Sequence, residues 1–296
     1  MNGGVYTPLV TPLLEQDSLD IDGLERVLEH VISGGVHGIF LLGTTGEGPT
    51  LSFRLRLEIV RRAAPLIAER LPLLVNLTGA SFTENLQLAR AAADVGAAAG
   101  VYSGPLYAPL SQKALAGHIE RFAAQCPLPL FLYNMPSHTH LFFEQATVVR
   151  LAETAQVVGL KDSSGDLLYL QRLIRTLGSE FPVFVGPEEM LYPALLAGAA
   201  GGVHGGSNLY PHIFTGIFDA VRRGDHVEAI RLQQISLQLS DAVYGNGYLR
   251  GLKAAMAARG LCSSLVAEPD TPLDSGAVKR IARAINRPEF SPSVNV

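Results

Sequence analysis

Eight times in its first 223 residues the chain passes through a short, continuously apolar run and then into a longer stretch with helical spacing. Strands are expected at Val5 to Val10, His37 to Gly43, Leu71 to Thr78, Ala97 to Gly104, Leu128 to Asn134, Val157 to Lys161, Phe181 to Gly186 and Gly201 to Gly205. Helices are expected at Asp20 to Ser33, Ser52 to Arg70, Thr83 to Val95, Ser111 to Gln125, Phe143 to Ala152, Leu167 to Leu177, Met190 to Ala197 and Pro211 to Arg223. Strands that are apolar throughout, not on alternate residues, are covered on both faces, which means a parallel sheet sheltered by helices. An open doubly wound sheet would carry a Gly-x-Gly-x-x-Gly turn after its first strand. Here that place reads Thr7-Pro8-Leu9-Val10-Thr11-Pro12, without a glycine. Eight units instead close into a (β/α)8 TIM barrel. The expected fold is therefore α/β, with the barrel over residues 1–225 and a C-terminal helical appendage over residues 226–296. Three further helices make up that appendage: His226 to Tyr244, Gly247 to Arg259 and Asp274 to Ile285.

A hydrophobic fraction of 48% with 17% charged residues supplies a large core and excludes a disordered chain. The net charge of −4 carries no basic block, which excludes a nucleic-acid partner. Cys126 and Cys262 form no motif and fit a reducing compartment. No window approaches the ~20 apolar residues of a membrane span, and no basic-then-apolar leader opens the chain. A soluble, cytoplasmic protein is expected. The arginines at Arg54, Arg56, Arg61 and Arg62 share a helix with Glu58 and are expected on a solvated or interface face, not in a binding patch.

Barrels of this kind place their chemistry where the strands finish. Those ends read Gly43-Thr44-Thr45-Gly46-Glu47, then Tyr107, Tyr133-Asn134-Met135-Pro136, Lys161, and Gly186-Pro187-Glu188-Glu189. Lys161 closes a buried strand. Burial favours the neutral amine, a nucleophile for carbonyl carbon; alternatively the chain snorkels out to Asp162 or Asp166. Tyr133 is either a core tyrosine with one satisfied hydroxyl or a proton shuttle beside the amine. Gly-Thr-Thr-Gly is either a bare turn or a small anion cradle. Gly43, Gly159, Gly186 and Gly205 either leave room for a ligand or relieve crowding between strands. His138-x-His140 lacks a carboxylate to complete a metal set, so no metal is expected. A phosphate site at Gly201-Gly202 and Gly205-Gly206 lacks a nearby basic residue.

Gly-Thr-Thr-Gly-Glu at 43–47, Tyr-Asn-Met-Pro at 133–136 and Gly-Leu-Lys-Asp-Ser at 159–163 together resemble the dihydrodipicolinate synthase/N-acetylneuraminate lyase family, along the whole chain. The resemblance implies a class I aldolase on a (β/α)8 barrel that binds pyruvate as a Schiff base and needs no metal or organic cofactor. It makes Lys161 the Schiff-base lysine and Tyr133 the general acid/base. Thr44 and Thr45 hold the pyruvate carboxylate, and Thr44 links Tyr133 to Tyr107 in a hydroxyl relay. Tyr107 is implied to come from the neighbouring subunit of a tight dimer, two of which form a homotetramer. Gly186, Val203, Ser163, Glu188, Glu189 and His138 complete the implied substrate contacts.

Two departures from the family pattern shape the expected substrate. Synthase-type members carry an arginine where this chain has His138, and a histidine is a poor substitute for a bidentate guanidinium. Positions that bind feedback lysine in regulated synthases read Pro49, Phe53, Arg56, Ala80 and Leu106 here, with only Glu84 kept, so no lysine inhibition is expected. Lys161-Asp162-Ser163-Ser164-Gly165-Asp166-Leu167, Glu188-Glu189 and Gly247-Tyr248-Leu249-Arg250-Gly251-Leu252-Lys253 are similar to the sugar-acid lyases instead. Gly205, standing near a lyase serine, speaks against neuraminate itself. The expected enzyme is a lyase, an aldolase or dehydratase acting on a 2-keto-3-deoxy sugar acid, that releases or uses pyruvate with a small aldehyde or keto-acid substrate. The alternative is condensation of pyruvate with aspartate semialdehyde, insensitive to lysine. Outside enzymes, a silent keto-acid sensor is the rival reading.

Overall fold

A computed structural model of the chain describes residues 3–68, 70–107 and 109–290. The strands are β1 (Gly4–Pro8), β2 (Leu13–Glu15), β3 (Ser18–Leu19), β4 (Gly38–Leu41), β5 (Leu73–Asn76), β6 (Ala99–Tyr102), β7 (Leu130–Asn134), β8 (Val157–Asp162), β9 (Val183–Val185) and β10 (Gly201–Val203). The helices of the barrel are α1 (Ile21–Ser33), α2 (Phe53–Ile67), α3 (Phe82–Asp94), α4 (Gln112–Ala123), α5 (Pro136–Thr139), α6 (Gln145–Ala152), α7 (Leu167–Leu177), α8 (Leu191–Leu196) and α9 (Pro211–Arg223). Beyond them lie α10 (His226–Tyr244), α11 (Tyr248–Ala258) and α12 (Ser275–Ile285).

Eight strands close in the order β1-β10-β9-β8-β7-β6-β5-β4, every pair parallel, with β4 returning to β1. This is the expected TIM barrel with C-terminal helices. The strands are shorter than the apolar runs suggested because several apolar residues beyond them are buried without joining the ladder. Val10, for instance, packs in the outer core after β1 has ended, its N–H taken by Asn208 and not by a strand. The β2–β3 hairpin and the single-turn helix α5 were not foreseen; both are too short to show a period.

Most helices begin on a polar residue that takes up an unpaired backbone N–H. Asp20, Ser52, Ser81, Ser111, Asp166, Asp225 and Asp274 each accept from an amide two or three residues on. α9 starts instead on Pro211, whose missing N–H matters least at a first helical position. Arg56 departs from its expected solvated or interface face. It lies on the buried side of α2 with Leu55, Ile59 and Val60 and donates from Nη2 to the Thr78 carbonyl at 3.0 Å. Arg54, on the other side, pairs with Asp17 and Glu58 as a surface residue should.

Two cores result. The inner one fills the barrel with Tyr6, Phe40, Leu74, Val101, Phe131, Phe184 and Val203. Rings dominate it, with Tyr6 edge-on to Phe184 at 5.4 Å and Phe131 edge-on to Phe184 at 5.9 Å. Small residues on the neighbouring strands make space: a Cβ on Gly38 would strike the Tyr6 ring, and one on Gly159 the Phe131 ring. The outer core lies between strands and helices and takes in Val243, Leu252, Met256, Ile281 and Ile285 from the C-terminal helices.

The seam between first and last barrel strands is held by Asn208. Its amide donates to the Pro8 carbonyl at 2.8 Å and the Gly205 carbonyl at 3.0 Å, and its oxygen accepts from the Val10 N–H at 3.0 Å. Asn208→Ala leaves these buried groups unpaired and should lower unfolding stability by roughly 2–4 kcal/mol, measured by urea denaturation. A loss below about 0.5 kcal/mol, the level of an ordinary surface change, would contradict the latch.

Candidate active site

Strand parity aims the lysine. Lys161 is the fifth residue of β8 and stands opposite Tyr133 in the β7–β8 ladder. Both side chains point into the barrel above the inner core. Lys161 Nζ lies 4.1 Å from the centroid of the Tyr133 ring and 4.9 Å from that of Phe40. The residue is only 7% exposed, and among the described residues its Nζ makes no hydrogen bond or ion pair. The two acids that might have drawn it outward are otherwise engaged. Asp162 points to the opposite face, where Asn134 Nδ2 donates to it at 2.7 Å and Ser164 Oγ at 2.9 Å. Asp166 caps α7 through the Tyr169 N–H at 2.9 Å.

Above the lysine opens a cavity of about 260 Å³. Its wall brings together Thr44, Thr45, Tyr133, His138, Lys161, Ser163, Gly186, Glu188, Glu189 and Val203, which are all the expected site residues except Tyr107. Thr44, Tyr133, Met135, His138 and Tyr248 are shared with an outer cavity of about 610 Å³. Thr44 Oγ1 sits 3.2 Å from Tyr133 Oη, so one hydroxyl pair of the expected relay is formed. Thr45 Oγ1 sits 2.8 Å from the hydroxyl of Tyr248. Tyr248 leaves part of its ring open to solvent, at 38% of the residue, while its hydroxyl end is sunk against Thr45 and Gly205. That burial first, and the charge of Glu188 second, hold its phenol above the ordinary value.

A profile of the dihydrodipicolinate synthetase family matches residues 1–287. The chain belongs to that family. It is thereby a lyase of the pyruvate-dependent class I aldolase kind. A 4-hydroxy-tetrahydrodipicolinate synthase of Methanoculleus marisnigri is 30% identical over 95% of this chain and 98% of its own length. The solved dihydrodipicolinate synthase of Bacteroides thetaiotaomicron superimposes with a TM-score of 0.92 at 42% identity, over 96% of this chain and 97% of that one. YagE, a prophage protein of the dihydrodipicolinic acid synthase family from E. coli K12 solved with pyruvate, gives a TM-score of 0.90 at 27% identity, over 96% and 97%.

Against the family pattern, several groups stand differently from expectation. Tyr107 is 95% exposed in the loop after β6 and makes no hydrogen bond among the described residues, so the relay stops at Thr44 within one chain. The four glycines leave no vacant space: side chains of Phe40, Phe131, Ser163 and Tyr248 fill the places a Cβ would take on Gly43, Gly159, Gly186 and Gly205. The glycine turn after β10 serves the protein's own acid. Gly206 N–H donates to Glu188 Oε2 at 2.9 Å, and Ser240 Oγ and Tyr244 Oη reach the same carboxylate at 2.8 and 3.2 Å. Glu188 is thus consumed by three donors, whereas Glu189 is exposed. His204, beneath them, donates from Nδ1 to the Gly186 carbonyl at 2.9 Å. Burial pushes its imidazole down to about 3, which keeps the ring neutral.

His138 rides on α5, with Nδ1 3.0 Å from Ser137 Oγ. Partial desolvation first, then the charges of His140 and Lys161, hold its imidazole below the ordinary 6.5. No three His, Cys, Asp or Glu side chains converge as a metal set among the described residues. Tyr248 was missed as a site residue. Its segment stood out in the sequence, but nothing local shows that α11 starts by dipping into the barrel mouth.

Burial raises the Glu188 carboxyl from 4.5 to about 7. The folded chain therefore keeps this proton where the unfolded chain has released it. The stabilisation is complete below pH 4.5 and is lost as pH climbs through 7. Glu188→Gln, neutral at every pH, should gain on the parent by up to roughly 3 kcal/mol between pH 5 and pH 8. Parallel denaturation curves across that range would refute the assignment.

Proposed function

We propose that Lys161 attacks the keto carbon of pyruvate, or of a 2-keto-3-deoxy sugar acid, and loses water to form an iminium. The carboxylate then rests on the hydroxyls and amides of Thr44 and Thr45. In the cleavage direction Tyr133 takes the proton of the C4 hydroxyl as the C3–C4 bond breaks. The bonding electrons move to the iminium, giving an enamine and a free aldehyde. Protonation at C3 and hydrolysis release pyruvate and restore the amine. Condensation is the same path reversed. The carrying observation is the Nζ of Lys161, without a hydrogen bond or ion pair among the described residues and 4.1 Å from the Tyr133 ring centroid inside the mouth.

The choice of a neutral, hydroxylated aldehyde rests on the wall chemistry. Among the described residues that line the two cavities, Lys161 is the only lysine or arginine. Thr50, Asn76, Thr78, Ser103 and Thr139 line the outer cavity instead. His138, held below 6.5, is uncharged at neutral pH and offers no fixed cation to a second carboxylate. Condensation with aspartate semialdehyde is the second reading, favoured by the names of the Methanoculleus and Bacteroides relatives.

The exposed Tyr107 fits supply from a second copy of the chain, in a tight dimer that pairs into a homotetramer. A cytoplasmic location is part of the same proposal; no helix among the described residues is long and apolar enough to cross a membrane.

Borohydride reduction with pyruvate should add one permanent adduct, on Lys161, by intact mass and peptide mapping. Lys161→Ala should lose adduct and activity while staying folded, and an adduct on another lysine would sink the mechanism. For the substrate, pyruvate release is measured over a panel of 2-keto-3-deoxy acids and compared with condensation on aspartate semialdehyde. Release should exceed condensation in kcat/KM, and His138→Arg should move the ratio at least tenfold towards condensation. The reverse order in the parent protein establishes the synthase reading.

A further inference from the structure

Among the described residues one ion pair has both side chains out of contact with solvent: Glu47 and Lys253. Glu47 Oε1 lies 2.5 Å from Lys253 Nζ. Glu47 Oε2 accepts from the Ala267 N–H at 2.5 Å, and Lys253 Nζ donates to the Leu265 carbonyl at 2.6 Å. Such a pair is poor evidence for stability. Desolvation costs several kcal/mol per ion, and replacing both partners by apolar groups is often neutral or better. What it can supply is a fixed position, and its place in the fold says of what.

Glu47 closes the loop that carries Thr44 and Thr45. Its backbone is in the left-handed region at φ 59°, costly for a residue with a Cβ, so something must hold it there. Its own N–H donates to the Thr44 carbonyl at 3.1 Å, which couples any movement of Glu47 to Thr44. Lys253 belongs to α11, and the same helix opens with Tyr248, whose hydroxyl meets Thr45 Oγ1 at 2.8 Å. The helix therefore grips the loop at Thr45 and again two residues on, at Glu47.

We propose that Glu47 and Lys253 are positioning residues for the keto-acid carboxylate. Acting through the loop, they set Thr44 and Thr45 at the height of Lys161 Nζ. The inference rests on the reading of Lys161, Thr44 and Thr45 given above. A loop displaced by about an ångström can cost on the order of 100-fold in a reaction that depends on orientation.

Lys253→Met alone strands a buried carboxylate and Glu47→Gln alone a buried ammonium, so the double variant Glu47→Gln/Lys253→Met, which removes both charges, carries the test beside Glu47→Gln. The glutamine oxygen still accepts from Ala267. Folding is followed by circular dichroism, and the pyruvate concentration giving half-maximal borohydride trapping on Lys161 is measured by intact mass. Folded variants should need at least tenfold more pyruvate, while trapping at saturating pyruvate slows less than threefold. Folded variants whose half-saturation stays within twofold of the parent overturn the proposal. So does failure of both variants to fold, which would make the pair a folding element. If the parent itself forms no pyruvate adduct, the reading of Lys161 falls and takes this one with it; an adduct without a shift sinks only the role of the pair.

Discussion

Closure of eight parallel strands leaves each side chain two choices, into the barrel or out against the helices, and past one irregularity at the start of the β7–β8 pair the alternation runs unbroken to the strand ends. Everything at the mouth follows from that parity. Tyr133 and Lys161 are register partners on adjacent strands, so both must point inward. Asn134 and Asp162, one residue on, are also partners, so both must point outward, where they bond each other at 2.7 Å. A shift of one residue in β8 would send the amine to the helices and bring Leu160 or Asp162 to face the mouth in its place.

Inside the barrel the lysine stands on rings. Phe40, Phe131 and Phe184 fill the layer below it and Tyr133 flanks it, so its nitrogen meets aromatic faces where a surface lysine would meet a carboxylate. Above it opens the cavity that holds Thr44, Thr45 and Ser163. Polar groups around that cavity are largely committed to one another. Asp162, Glu188 and His204 each carry shifted titrations caused first by burial, and each binds the backbone or side chains that shape the loops. Among the described residues lining the cavity, Lys161 Nζ, Ser163 Oγ, the hydroxyl pair at Thr44 and Tyr133, and the exposed Glu189 are left to face its space.

The C-terminal helices belong to this arrangement as much as the barrel does. Gln233, Ser240 and Tyr244 of α10 hold the turn that carries Glu188, and Tyr248 and Lys253 of α11 hold the threonine loop. The loops after β4 and β9 face each other across Lys161, and the two helices fix them from behind.

The sequence by itself determined the fold and most of the wall around Lys161, because both depend on local regularities. Continuous apolar runs separated by helical periods specify a covered parallel sheet, and a barrel displays residues at strand ends whatever their identity. Lys161, Tyr133, Thr44, Thr45 and Gly186 were legible for that reason. Tertiary structure alone decided the rest. Whether Lys161 found Asp162 or stayed unpaired turned on side-chain direction across two strands. Whether the glycines made space for a ligand turned on which rings and hydroxyls arrived from elsewhere. Tyr248 and Lys253 lie about 200 residues from the loop they hold, at separations of 203 and 206. No periodicity reports a contact over that distance; only closure of the chain brings the partners together.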